Sequence, residues 1–370
     1  MFGPTNSGVR LGIGTQSGRT PPPLELWRNV PIRSSHVKVS LLGTHTCLAA
    51  WCLPPSPLTD PPSGHIGPTK IRTGQAGLSM QQLGFPRLSS TPPDNMETQQ
   101  QLRRLYQNCI TGSHVLHYHG ILDAYGHLSF RHPSTPSIFI MPRNMAPANI
   151  ASPQDLVEYN VSDATPVDSN APAGYIERYI HSEIYKRYPG VNSVIHSHAS
   201  AVVPYTISGT GVPLKPCLHM AGFLGPSTPV YDVAKHYEPG TTRDLLIRSL
   251  HLGESLAACF RAADASTQTG KDEPDHSVVL MRGHGYTVAA RSIEECVFRA
   301  IYTRENAAIQ TASLGLSAAY RGTGEPPTEI HYLRDDEIKG ATGIALTGWA
   351  RAWGLWVREV EAANLYATSG

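Results

Sequence analysis

The stretch Gly174–Ser200, "GYIERYIHSEIYKRYPGVNSVIHSHAS", changes its period halfway along. Ile176, Ile180 and Ile184 fall four apart, the spacing of an amphipathic helix, and Pro189 with Gly190 stops it. Val194 and Ile195 then open a short apolar strand that runs into His196, Ser197 and His198. Alternate residues of a strand share a face, so Val194, His196 and His198 project one way while Ile195 and Ser197 project the other. With a rise of about 3.3 Å per residue the two imidazoles start about 7 Å apart, close enough to converge on one divalent ion. Taken alone, the pair reads equally as satisfied polar residues at a strand end. Glu177 and His181, one turn apart on the preceding helix, bring a carboxylate toward the pair.

Outward from this segment, helices and strands alternate. "METQQQLRRLYQNC" places Leu102, Leu105, Tyr106 and Cys109 at helical spacing. "GHLSFRHP" and "SIFIMPR" read as two strands joined by a proline-containing turn. "SPQDLVEY" reads as a helix start, with Ser152 as N-cap and Pro153 at the first helical position. "SVVLM" and "YTVAA" read as strands around the turn "RGHG", and "SIEECVFRAIYTRENAAIQTASLG" as a helix with a Ser292–Glu295 capping box, ending at Gly315. The tail "TGWARAWGLWVREVEAANLYATSG" reads as a helix with Trp353, Trp356 and Val360 near one face. The class is α/β or α+β, with residues 96–370 as one domain.

Residues 1–95 differ in character. They are rich in Pro, Gly, Ser and Thr and show no sustained period, which reads as a disordered or low-complexity leader. Their prolines oppose the amphipathic helix of a transit peptide; a start at Met96 is the other explanation.

The chain has 370 residues, 40% of them hydrophobic, enough to bury a sizeable core. A formal net charge of +1 gives no field that would draw it to nucleic acid or an acidic membrane. The most apolar run, "VKVSLLGTHTCLAAWCL", is interrupted by Lys38, Ser40 and the Thr44–Thr46 cluster, so it does not read as a membrane span. Six cysteines with no CxxC spacing read as reduced thiols of a cytoplasmic protein.

A third histidine strengthens the metal reading. His284 sits between Gly283 and Gly285 directly after an apolar strand, where glycines let the backbone approach a ligand closely. Three neutral histidines with an open position make a catalytic zinc-type site, and no cysteine of a structural site lies in these motifs. "LHYHG", with His117 and His119, has the same spacing but reads as a helix end or loop.

The series Glu177, His181, Tyr185, Pro189, His196, His198, Gly283, His284 and Gly285, together with "GHLSFR" at 126–131, resembles the class II aldolase/adducin family over roughly Leu102–Gly315. The resemblance implies a three-layer α/β/α sandwich around a mainly antiparallel sheet. It also implies a divalent metal on His196, His198 and His284, zinc before manganese or iron, with Glu177 as the catalytic acid/base. His127, Ser129, Arg131, Arg143 and His181 become candidates to bind substrate, and the family's habit of sharing sites between subunits implies a homo-oligomer, a tetramer. Tyr175 and Ile176 stand where the sugar-phosphate aldolases carry a Ser-Ser pair, and His127 where the family usually has Asn. Those departures turn the expectation from a phosphorylated sugar toward the branch that decarboxylates hydroxylated aromatic or related acids, to which "ERYIHSEIYKRYP", "LMRGHG" and "SFRHP" are more similar.

The function so implied is a metal-dependent carbon–carbon lyase that decarboxylates a small hydroxylated aromatic acid through a metal-stabilised enolate or phenolate. Aldol or retro-aldol cleavage of a hydroxy-carbonyl compound is the alternative. A non-catalytic adducin-like interaction module is a further one, opposed by the presence of all three histidines and Glu177. A cupin also uses a HxH pair and a distant histidine, but its glutamate follows the pair on a β-barrel, whereas Glu177 precedes it on a helix.

Overall fold

The structure, a computed structural model, describes residues 93–208, 211–262, 272–321 and 329–368. The expected leader, residues 1–95, lies outside the described residues except for its last three, which open the first helix. In chain order the elements are α1 (Pro93–Tyr118), β1 (His127–Arg131), β2 (Ile138–Pro142), β3 (Leu156–Asn160), α2 (Arg178–Arg187), β4 (Ser193–Ser197) and α3 (Val203–Ile207). They continue with β5 (Val230–Tyr231), α4 (Leu250–Ala258), β6 (Val278–Met281), β7 (Gly285–Ala290), α5 (Ile293–Arg321) and α6 (Asp335–Ala362).

The strands form one sheet in the order β3-β2-β1-β4-β7-β6-β5, antiparallel throughout except for the β5–β6 pair. Strand side chains alternate between its two faces. Leu128, Phe130, Ile195, Leu280, Tyr286 and Val288 turn to one face and pack with residues of α1, α5 and α6. Phe139, Met141, Tyr159, Val194, Val279 and Ala289 turn to the other and pack with α2 and α4. The result is the expected α/β/α sandwich. His127 pairs with His196 and Ser129 with Val194, so all four share the α2 face. No helix among the described residues is long and apolar enough to cross a membrane.

Three local expectations are corrected. The start at Ser152 opens only a single 3-10 turn, Pro153–Asp155, in which Asp155 Oδ2 accepts the Ala151 and Ser152 amide hydrogens at 3.0 and 3.2 Å. The chain then becomes β3, because Val157 and Tyr159 alternate into the core, and that period of two outweighs the cap. The helix before the HxH pair begins at Arg178, one residue after Glu177, which leaves Ile176 exposed while Ile180 and Ile184 are fully buried. Finally, α5 runs through Gly315 to Arg321; a helix-breaking glycine there costs too little to stop a helix already packed along its length.

Candidate metal centre

The β4–β7 pairing places His196 opposite Thr287, and the turn between β6 and β7 delivers His284 to the same end of the sheet. Two glycines make that turn possible. Gly283 takes φ +65°, and a Cβ on Gly285 would lie 2.0 Å from the Ser197 carbonyl oxygen. The close approach of β7 to β4 brings His284 against the histidine pair.

The Nε2 atoms of His196 and His198 are 3.0 Å apart, those of His196 and His284 3.3 Å, and those of His198 and His284 3.2 Å. Glu177 Oε2 lies 3.5 Å from Nε2 of both His196 and His284. The four ligand atoms all lie within 4.8 Å of one another. Ligands at about 2.0–2.1 Å from a tetrahedral ion stand roughly 3.3–3.4 Å apart, so the nitrogen triangle has the dimensions of a zinc-type site. Three imidazole nitrogens turned to one point oppose lone pairs or hydrogens unless a cation lies among them, and the donor set therefore fits a divalent metal.

The outer nitrogens are steered in turn. Thr287 donates its hydroxyl hydrogen to Met281 Sδ at 3.2 Å and so offers its oxygen to His196 Nδ1 at 3.4 Å. His198 Nδ1 faces both oxygens of Asp123 at 3.1 and 3.2 Å. Each contact puts the hydrogen on Nδ1 and leaves the Nε2 lone pair for a metal. Asp123 also accepts the Tyr125 and Gly126 amide hydrogens at 2.9 Å. Against the desolvation that raises it, those amides and His198 hold the Asp123 carboxyl below the usual range. His284 Nδ1 is buried with no hydrogen-bond partner among the described residues.

Glu177 caps α2 rather than lying on its face, and the Ile247 amide donates to its Oε1 at 2.9 Å. Oε2 alone is left toward the histidines. His181, one turn on, turns to β1 instead: Nδ1 is 2.6 Å from Ser129 Oγ, and Nε2 is 2.7 Å from His127 Nδ1. Burial drives the His181 imidazole down to about 3. His127 and His196 are likewise held well below the ordinary histidine value, by burial first and then by neighbouring histidines. All three rings are neutral near pH 7.

The structure thus gathers Glu177, His196, His198 and His284, with His127 beside them at 5.3 Å between its ring centroid and that of His196. Both arginines are committed elsewhere. Arg131 donates to the main-chain carbonyls of Val191, Pro136, Tyr185 and Tyr188 and lies over the Tyr185 ring, a brace between β1 and the end of α2. Arg143 donates through Nε and Nη2 to Asp155 Oδ1 and holds the turn before β3 in the same way. His117 and His119 sit apart, at Tyr366 and Glu359. Asp123, Thr287 and the Ile247 amide were not legible in the sequence. An Asp three residues before a glycine marks a turn, but nothing in its spacing ties it to a histidine 75 residues on.

Residues 107–311 match the family model described as Class II Aldolase and Adducin N-terminal domain. The chain is 54% identical over 257 residues to Decarboxylase tropJ of Talaromyces stipitatus, covering 70% of this chain and 94% of that one. It is 27% identical over 212 residues to 3,4-dihydroxyphthalate decarboxylase of Arthrobacter keyseri, covering 54% of this chain and 76% of that one. Among solved structures, an aldolase II superfamily protein from Pseudomonas syringae superposes with a TM-score of 0.52 at 19% identity, over 75% of this chain and 96% of its own. The L-fuculose 1-phosphate aldolase of Glaciozyma antarctica gives 0.52 at 15%, over 75% and 97%; both likenesses are of fold alone. By its matched model, its relatives and its sheet, the chain belongs to the class II aldolase and adducin N-terminal domain family.

Proposed function

We propose that this chain, a lyase of that family, is a divalent-metal-dependent decarboxylase of a small hydroxylated aromatic or related carboxylic acid. The observation that carries the reading is the convergence of three imidazole Nε2 atoms and one carboxylate oxygen on a single point. The kinship with a decarboxylase at 54% identity supports decarboxylation over aldol cleavage. An interaction module would have no use for four converging ligand atoms.

Loss of carbon dioxide breaks a carbon–carbon bond and leaves its electron pair on the ring carbon. A divalent ion held by His196, His198 and His284 supplies Lewis-acid polarisation of substrate oxygens. A set of three imidazole nitrogens suits zinc, with manganese or iron behind it. Glu177, pinned through Oε1, has Oε2 placed to take a proton from a substrate hydroxyl and return one to the carbon that loses carbon dioxide. Substrate binding falls to His127, which shares the face of the ligand histidines.

Purified, metal-loaded protein should release carbon dioxide from one or more members of a hydroxybenzoate panel and should not cleave sugar phosphates. Aldol cleavage without decarboxylation would overturn the reading. Assembly as a homotetramer and a cytoplasmic location belong to the same proposal, checked by light scattering and by cell fractionation.

A further inference from the structure

A line of four buried polar side chains leads from the interior of the α2 face to the metal centre. Tyr185 OH is 2.7 Å from Ser129 Oγ, Ser129 Oγ is 2.6 Å from His181 Nδ1, and His181 Nε2 is 2.7 Å from His127 Nδ1. None of the four is more than 1% exposed. Three of them, His127, Ser129 and His181, were candidates for binding substrate, yet Ser129 and His181 spend their polar atoms on this line.

The direction of the hydrogens along the line follows from its inner end. A neutral phenol always carries one hydrogen, and among the described residues the hydrogen-bond partner of Tyr185 OH is Ser129 Oγ. Burial keeps the Tyr185 phenol protonated, its pKa raised far above the ordinary tyrosine value. Tyr185 therefore donates to Ser129, Ser129 donates to His181 Nδ1, and His181 carries its hydrogen on Nε2 and donates it to His127 Nδ1. In the reverse direction Ser129 would donate to the phenol oxygen, and a buried hydroxyl hydrogen would have no acceptor. A neutral His127 that accepts at Nδ1 must bear its hydrogen on Nε2.

We propose that Tyr185, Ser129 and His181 are positioning residues that lock His127 as the Nε2–H tautomer, and that His127 thereby offers one fixed hydrogen-bond donor to an acceptor oxygen of the substrate beside the metal ligands. The second half rests on the decarboxylase reading; the first does not. The site would consequently select a substrate bearing a carboxylate or phenolate oxygen at that point, and would disfavour a hydrogen-bond donor placed there.

Long-range proton–nitrogen correlation spectra of the zinc-loaded full chain, with His127 assigned by comparison with His127→Gln, read the tautomer directly. The expected result is a hydrogen on Nε2; a hydrogen on Nδ1 overturns the proposal. Tyr185→Phe removes the donor that orients the line, and should populate the second tautomer of His127. An unchanged single tautomer in that variant would mean that Tyr185 only packs, and would overturn its positioning role.

Calorimetric titration with 2-hydroxybenzoate tests the donor. His127→Phe, which keeps a ring without the N–H, should weaken binding about ten- to a hundredfold, and His127→Gln, whose amide supplies a donor, should recover most of the loss. Tyr185→Phe should weaken binding in the wild-type background and add nothing in His127→Gln, where no tautomer needs fixing. An equal loss in both backgrounds would mark a general packing defect and count against the proposal. Failure of the wild type to bind 2-hydroxybenzoate, with the hydrogen found on Nε2, would overturn the aromatic-acid reading and leave the polarity of the line standing.

Discussion

The main-chain amide of Ile247 donates to Oε1 of Glu177 at 2.9 Å, joining the residue that caps α2 to a loop 70 positions further along the chain. One carboxylate oxygen is thereby fixed, and the other is aimed at Nε2 of His196 and His284. The arrangement separates holding the carboxylate from using it.

Glu177→Gln should therefore keep its place, since the amide oxygen can still accept from Ile247, while losing the capacity to move a proton. We expect metal content to be retained and turnover to fall about a hundred- to ten-thousandfold, the usual worth of a positioned acid/base. Metal analysis beside single-turnover assays checks both halves; undiminished turnover would move the acid/base role to another group.

Asp123→Asn tests the support of His198. The variant keeps an oxygen for the Tyr125 and Gly126 amides but removes the charge facing His198 Nδ1. Zinc affinity should drop about 10- to 100-fold, with the fold intact. Competition against a chromophoric chelator measures it, and an unchanged affinity would show that the aspartate serves only the turn.

These two residues also mark what the sequence discloses. His196, His198 and His284 were legible because strand alternation and flanking glycines are local signals, and the helix before them because Ile180 and Ile184 keep its period. The position of Glu177 was half legible: the same period ran on to Ile176 and put the glutamate inside the helix, whereas it caps the end. Asp123 and Ile247 reach the site through loops, whose path is set by tertiary packing and leaves no period to read. Leu156–Asn160 was lost for a related reason, since a capping residue and a proline announce a turn without saying whether a helix or a strand follows. The partners of the arginines were not legible either, because a guanidinium that recognises carboxylates serves equally well to gather main-chain carbonyls, as Arg131 does.

Acid should destabilise the fold before it reaches the carboxylates. His181 is held at about 3 against an ordinary 6.5, and buried His114 is lowered as well, each by burial first. Below 6.5 the unfolded chain takes up protons that the folded chain refuses, so stability is complete above that value and is lost as pH falls toward 3. One such histidine costs up to ~1.4 kcal/mol per pH unit across that window. Melting temperatures should fall steadily from about pH 6.5 to about pH 5 and be level above pH 7 as far as these groups are concerned. A flat profile through the acid range would show that the rings are not neutral in the native state.

Two glycine substitutions should part company. Gly285→Ala forces a methyl to within 2.0 Å of the Ser197 carbonyl and 3.1 Å of His198 Cα, so β7 must move off β4. A loss of ~3 kcal/mol and weakened metal binding are expected. Gly315→Ala meets nothing within 4 Å on α5 and should gain ~0.5–1 kcal/mol. Denaturant titration of both variants checks the contrast, and a neutral Gly285→Ala would mean that the strand pair yields more readily than its hydrogen bonding implies.

His196 and His284 are 88 residues apart, and they meet only because β4 pairs with β7 in the middle of the sheet. A chelate built across that pairing cannot exist in a partly folded chain. Such long-range strand pairing is slow to form, because the loop between the partners must be closed before any contact rewards it. The ion would then arrive late, binding the native state alone and shifting the folding equilibrium by mass action. Chelation should accordingly speed unfolding more than it slows folding, making the metal a clasp on the finished sheet rather than a template for building it.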